Sequence, residues 1–236
     1  MDKKRNMKHT NIKRCNLNIL LSVSLLAFVA FGGCITSQPS KFYILTPINH
    51  DSEGNISATA KTEISNKIGI SDRAALQNIT LGLGPVSIAK YLDRSQLVVR
   101  LSPNQIKLED FHQWAGSPRD DIPAVLLENL STILGTDTIY KYPWKSYVEI
   151  DYQIVVEINQ LDGRPGESVR LVARWEILKG NALQSVKGGK NDFTEQISGS
   201  GSEDVSVNQF DAFVLAQSRA LGKLSEVIAR SLIELL

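Results

Sequence analysis

Between Tyr147 and Leu178 the chain alternates apolar and polar residues twice, with a turn between the two runs. Val148, Ile150, Tyr152, Ile154, Val156 and Ile158 alternate with Glu149, Asp151, Gln153, Val155, Glu157 and Asn159. Val169, Leu171, Ala173, Trp175 and Ile177 then alternate with Arg170, Val172, Arg174, Glu176 and Leu178. Successive side chains of a strand point to opposite faces, so a sustained period of two describes half-buried strands over Tyr147–Gln160 and on the return. Asp162-Gly163 and Pro165-Gly166 carry the turn signal between them. A two-stranded hairpin with one apolar face is not stable alone in water. The rest of the chain must supply what covers that face.

Two helices are predicted to do so. Ile122, Val125, Leu126, Leu130, Ile133 and Leu134 keep helical spacing, with Ser117 or Asp120 as the cap, Pro118 or Pro123 in the first turn and Gly135 as the stop. Phe111 to Trp114 leads into this helix. A longer helix runs from about Val207 to Leu235, with Phe210, Val214, Leu221, Leu224, Ile228, Leu232 and Leu235 as its stripe. Gly222 inside it disfavours helix by about 1 kcal/mol relative to Ala, which points to a close neighbour. Short strands are predicted at Lys41–Leu45, at Ile79–Ile88 with a break at Gly84-Pro85, and at Leu97–Leu101. Others are predicted at Gln105–Leu108, Ala182–Val186 and Phe193–Ile197. Lys90–Arg94 reads as a turn or short helix, the polar stretch 49–78 as a flexible insert, and Ser198–Ser202 as a connector. The fold class is mixed α/β, one sheet with a long antiparallel hairpin and two main helices.

Chemistry has little material here. Cys15 and Cys34 are the two cysteines, and the three histidines are scattered, so neither a metal site nor a Ser-His-Asp set is suggested, and no cofactor is expected. Gly82-x-Gly84-x-x-Ser87 lacks the third glycine of a dinucleotide loop, and Pro85 removes an N–H that such a loop would use. Gly199-Ser200-Gly201 lacks the spacing of a nucleophile elbow. Glu149 and Asp151, as carboxylates on the polar face of a hairpin, read as solvated charges facing Arg170 and Arg174 rather than as an acid–base pair. The chain holds 26 basic and 25 acidic residues, with six of the basic ones before Cys34, so nucleic-acid binding is disfavoured. An enzyme is not expected.

The N-terminus has a processing pattern. Lys3, Lys4, Arg5, Lys8, Lys13 and Arg14 precede an apolar run, Ile19 to Phe31, that is shorter than the roughly 20 residues a membrane-spanning helix needs. The run ends in Phe31-Gly32-Gly33-Cys34, which resembles a bacterial lipobox with Phe31 in place of the usual Leu. That resemblance implies a signal peptide over residues 1–33, acylation of Cys34 and a tether over 34–40. Ile35, where an Asp would favour inner-membrane retention, fits the outer membrane. Two further clusters are candidate contact surfaces. One is the corner Tyr91-Leu92-Asp93-Arg94, and the other is the aromatic loop Tyr142-Pro143-Trp144, whose plainer reading is a plug at the core edge.

The ordered set of Cys34, Tyr43-Ile44-Leu45, Gly84-Pro85-Val86, Tyr91 to Arg94, Val98-Val99-Arg100, Trp114-Ala115, Tyr142-Pro143-Trp144, Trp175 and the C-terminal helix through Ala216, Ser218, Leu221, Leu224 and Ser225 resembles the PqiC family of ABC-type transport auxiliary lipoproteins. The resemblance spans most of residues 41–236. It implies a fold similar to the N-terminal domain of TolB. It also implies an outer-membrane, lipid-anchored protein facing the periplasm that docks an MCE-domain (PqiB-like) partner in intermembrane lipid transport, and a ring-shaped homo-oligomer. On that reading Tyr91, Leu92, Asp93, Arg94, Tyr142 and Trp144 are candidate partner contacts. The alternative is a periplasmic lipoprotein that itself carries an amphiphile in an apolar cavity.

Overall fold

A computed structural model of the chain describes residues 38–48, 76, 78–180, 184–197 and 205–236. It divides into Met1–Pro39 and Ser40–Leu236, and the second unit holds the fold described below. Cys34, the signal segment, most of the 49–78 insert and the Ser198–Ser202 connector lie outside the described residues.

Among the described residues eight strands form one mixed sheet. They are β1 (Lys41–Tyr43), β2 (Leu81–Ile88), β3 (Gln96–Ser102), β4 (Gln105–Trp114), β5 (Ile139–Lys141), β6 (Tyr152–Arg164), β7 (Ser168–Lys179) and β8 (Gln184–Gln196). Two helices, α1 (Pro118–Leu134) and α2 (Val205–Ile233), complete the element order. The strand path is β1-β4-β3-β6-β2-β5, with β7 on the other edge of β6 and β8 beyond β7. β6 is therefore shared. One edge pairs antiparallel with β7 along its length. The other pairs parallel with β2 from Tyr152 to Ile158, and then with β3 at Gly163 opposite Val99. The sheet forks where β2 leaves β6 and β3 arrives.

The hairpin is where the alternation predicts it, shifted at one end. β6 begins at Tyr152 rather than Tyr147, because both neighbours run out there: Leu81 opens β2 opposite Tyr152, and Lys179 closes β7 opposite Tyr152. Glu149 and Asp151 therefore precede the strand, and Asp151 Oδ2 accepts the Thr80 N–H at 2.8 Å. Asp162-Gly163 lies inside β6, not in the turn, which is Pro165–Glu167. A register shift between Ile158 and Gln160 moves the alternation by one, so Leu161 is buried on the core face. Across the hairpin Glu157 stands opposite Arg174, and Asp162 opposite Arg170. The Arg170 guanidinium pairs instead with Asp192 of β8 at 2.5 Å.

Two other segments differ from the sequence reading because pairing with another strand sets their extent. Phe111–Trp114 is the end of β4 rather than a lead-in to a helix, because β1 pairs with it from Lys41↔His112 to Tyr43↔Trp114. The two short strands predicted after Gly180 are one strand, β8, laid along β7 from Gln184 to Gln196.

α1 starts after Ser117, has Pro118 in its first turn and stops at Gly135, which is left-handed at φ 66°. α2 carries Phe213, Leu221, Leu224, Ile228 and Leu232, all fully buried. The two helices pack on each other, α1 over β2 and β5 and α2 over β6, β7 and β8. Their core meets Leu81, Leu83, Ile154, Ile158, Val169, Leu171 and Ile177 from one sheet face. A Cβ on Gly222 would stand 2.7 Å from Ile48 Cγ2, the close neighbour its position implies. The opposite sheet face carries Glu157, Arg170, Arg174 and Glu176, all exposed.

Candidate functional site

The chain after β5 does not enter β6 directly. It folds back over the open sheet face and lays two aromatic rings on β2. The Tyr142 N–H donates to Leu83 O at 2.9 Å. The Tyr142 and Trp144 rings meet edge to face with centroids 5.3 Å apart. Gly82 and Gly84 make this possible. A Cβ on Gly82 would sit 2.9 Å from Trp144 Cζ3 and 3.0 Å from Ile150 Cγ2. One on Gly84, at φ +120°, would sit 2.7 Å from Tyr142 Cβ. The glycine pair that superficially suggests a phosphate loop is the seat of the aromatic loop.

The result is an open cleft of about 390 Å³ lined by Pro85, Tyr142, Trp144, Val148, Ile150, Gln153 and Gly180. Tyr142 is half exposed, and Tyr147 beyond it is 74% exposed. Gln153 Nε2 donates to Gly84 O at 2.8 Å, which fixes the cleft floor. Such a surface offers aromatic faces and edges with few charges, suited to an apolar or peptide partner.

The second candidate cluster turns inward. Leu92 is buried. Arg94 Nε donates to Tyr91 O at 2.8 Å, closing the turn on itself. Asp93 accepts from Arg119. The Tyr91 hydroxyl donates to Asp162 Oδ2 at 2.6 Å, and Arg100 grips the same carboxylate with Nε at 2.6 Å and Nη2 at 2.7 Å. Gln160 Nε2 adds a fourth bond at 2.9 Å. Asp162 has no exposed surface. Burial pushes its carboxyl up, but the donors from Arg100, Tyr91 and Gln160 outweigh that and hold it below the ordinary carboxylate range. The Tyr91 phenol is raised, first by burial and then by its bond to Asp162, so it stays a donor. This node joins the β2 turn, β3 and β6 at the fork of the sheet.

The sequence reading names both aromatic residues of the cleft and misses Pro85, Gln153, which parallel pairing sets beside β2, and Gly180, whose N–H donates to Asp151 O at 2.9 Å just before β6. It also misses Arg100 and Asp162. The visible signal for the cleft is a glycine pair two apart in a strand, together with an aromatic run that needs a flat seat. Tyr142 and Tyr91 do not share a site: Tyr142 lies at the level of Leu83, whereas Tyr91 lies past the other end of β2. Among the described residues no group of His, Cys, Asp and Glu is arranged to hold a metal, and no helix is long and apolar enough to cross a membrane.

Fold and site together define a helix-backed mixed sheet with an aromatic-lined cleft on the face away from the helices. The chain belongs to the family of ABC-type transport auxiliary lipoprotein components, whose model matches residues 69–229. By family it is thus a lipoprotein of a transport-associated system. Two solved structures share its fold. A crystal structure of an uncharacterised protein is 15% identical, with a TM-score of 0.59, over 83% of this chain and 99% of that one. Protein XCC0632 from Xanthomonas campestris, of the DUF330 family, is 12% identical, with a TM-score of 0.51, over 64% of this chain and 81% of that one. A comparison with curated proteins finds no match.

Proposed function

We propose that the chain is a non-catalytic subunit of an intermembrane lipid transport system. It is held in the outer membrane by an acylated Cys34, faces the periplasm, and docks an MCE-domain protein through the Tyr142–Trp144 cleft. The anchor rests on the small-residue run Gly32-Gly33-Cys34 after an apolar segment, together with membership of a lipoprotein family. The dock rests on one observation: a half-exposed tyrosine and a tryptophan pack edge to face over two glycines of β2. Aromatic anchors that are already fixed lose little freedom on binding, which is what concentrates binding energy in a few residues. The Tyr91–Arg94 corner contributes less on this reading, because its polar groups are already bonded within the domain.

The test is purification of the full-length protein from its own envelope in mild detergent, with mass spectrometry of Cys34 and of whatever accompanies it. An acylated Cys34 with an MCE-domain protein is the expected result. Tyr142→Ala keeps the Cβ that rests on Gly84 and removes the exposed ring. It should weaken that association by about 2 kcal/mol, roughly thirtyfold, and leave the isolated protein folded, with a thermal midpoint lowered only by the loss of the edge-to-face contact with Trp144, about 1 kcal/mol. Phospholipid bound to an acylated protein with no protein partner would replace docking by lipid carriage. A free Cys34 in the soluble fraction would remove the anchor.

A further inference from the structure

Phe42 of β1 and Ile44, just past its end, expose large apolar side chains at the free edge of the sheet. Phe42 is 64% exposed and Ile44 61%. Neither can hide by rotation of the strand, because Tyr43 between them is buried and fixed. Its hydroxyl meets His112 Nδ1 at 2.7 Å, and its ring lies 6.4 Å from that of Phe210. Phe42 and Ile44 border a shallow groove of about 280 Å³ whose other wall is α2, with Leu215 and Asp211. On the neighbouring strand Phe111, one residue before the partner of Lys41, is 41% exposed. Single exposed apolar residues need no explanation, but several gathered at one edge mark a contact surface. Phe42 and Ile44 precede the matched residues 69–229, so the family match does not cover them.

The position of the edge in the chain limits how far it can stand from Cys34. Phe42 comes eight residues after Cys34. An extended chain advances at most about 3.5 Å per residue, so the ring stays within about 28 Å of the acylated sulfur. The exposed Lys41 beside it suits an anionic headgroup. A partner strand would find only three residues of β1 to pair with. β1 also stands at one end of the strand path and β5, which leads into the aromatic cleft, at the other.

We infer that the Phe42–Ile44 edge rests in the lipid surface that holds the Cys34 anchor, and so sets the orientation of the domain. The inference depends on the acylation of Cys34 proposed above. Apolar side chains of this kind enter the boundary between headgroups and acyl chains. The β5 end of the path, with its cleft, then remains free for a partner in the aqueous space.

The test uses full-length acylated protein in vesicles of phosphatidylethanolamine and phosphatidylglycerol brominated close to the headgroup. An environment-sensitive fluorophore is carried on Phe42→Cys, on Ile44→Cys or, as reference, on Tyr147→Cys. Labels at 42 and 44 should shift to the blue and be quenched by the brominated lipid, and the label at 147 should do neither. In the unlabelled protein the same vesicles should slow tryptic cleavage after Lys41. Labels at 42 and 44 that remain as wet as the one at 147, on protein whose mass confirms acylation, would overturn the inference and leave the proposed function standing. A blue shift without bromine quenching would overturn it in favour of a second copy at this edge. A mass showing free Cys34 would overturn both readings together.

Discussion

Asp162 is a carboxylate with no contact with water, and it is retained because three side chains converge on it. Its neighbours Arg100 and Tyr91 come from separate elements, so the charge is also a fastener for the fork. Asp162→Asn leaves the Arg100 guanidinium facing a neutral amide. The cost should be about 3 kcal/mol, the low end for a broken buried pair, because the Arg100 side chain keeps 26% exposure and can be rehydrated. Chemical denaturation of both proteins measures this. The sign of the pH dependence follows from the depressed folded-state value. Below the ordinary 3.8 the unfolded chain binds a proton that the folded chain refuses. The stabilisation is complete above that pH and is lost as pH falls through the lower folded-state value. Asp162→Asn should therefore flatten the acid limb of the stability profile. Replacing Tyr91 and Arg94 together, attractive as a test of a contact surface, should instead lower the melting temperature, since it strips a donor from the same carboxylate.

At the scale of elements, the loop from Tyr142 to Asp151 and the strand β2 are one unit, and the glycines decide it. Gly82→Val places branched atoms where Trp144 Cζ3 and Ile150 Cγ2 now lie. Overpacking of this kind destabilises by about 1–3 kcal/mol. The displaced indole should show as a red-shifted tryptophan emission beside a lowered thermal midpoint. If neither changes, the aromatic loop does not sit where it is described. The same unit shows what a sequence can disclose. Alternation in the β6–β7 hairpin and the stripe of α2 are local periods, readable without knowing the partner. The start of β6, the end of β4 and the continuity of β8 depend on where another strand begins or stops, and no local period carries that. Asp162 was hidden for a related reason: Asp-Gly is a turn signal, and only the irregularity at Asn159, with Arg100 waiting on β3, turns it into a strand residue. Tyr142 and Trp144 were legible as an aromatic run, but their floor, from Gln153 and Gly180, comes from strands paired through β6.

For the whole molecule, the last helix is not an accessory. Phe213, Leu221, Leu224, Ile228 and Leu232 have no exposed surface. Burial of such side chains contributes about 1.5–3 kcal/mol each, a sum comparable with the roughly 5–15 kcal/mol net stability of a whole domain. A chain ending at Gln196 should therefore give no cooperative melt by circular dichroism. A sharp transition near that of the intact protein would show that the sheet stands alone. The first strand is held by that same helix. Tyr43 packs near Phe210, and the Thr46 N–H donates to Ser218 Oγ across a separation of 172 residues. Contacts of such long sequence separation tend to form late, because the loop they close is costly in entropy. A polypeptide that emerges amino end first has its opening strand outside and waiting until the closing helix arrives. On that ordering, a chain lacking the closing helix leaves its first strand without the Phe210 and Ser218 contacts that hold it.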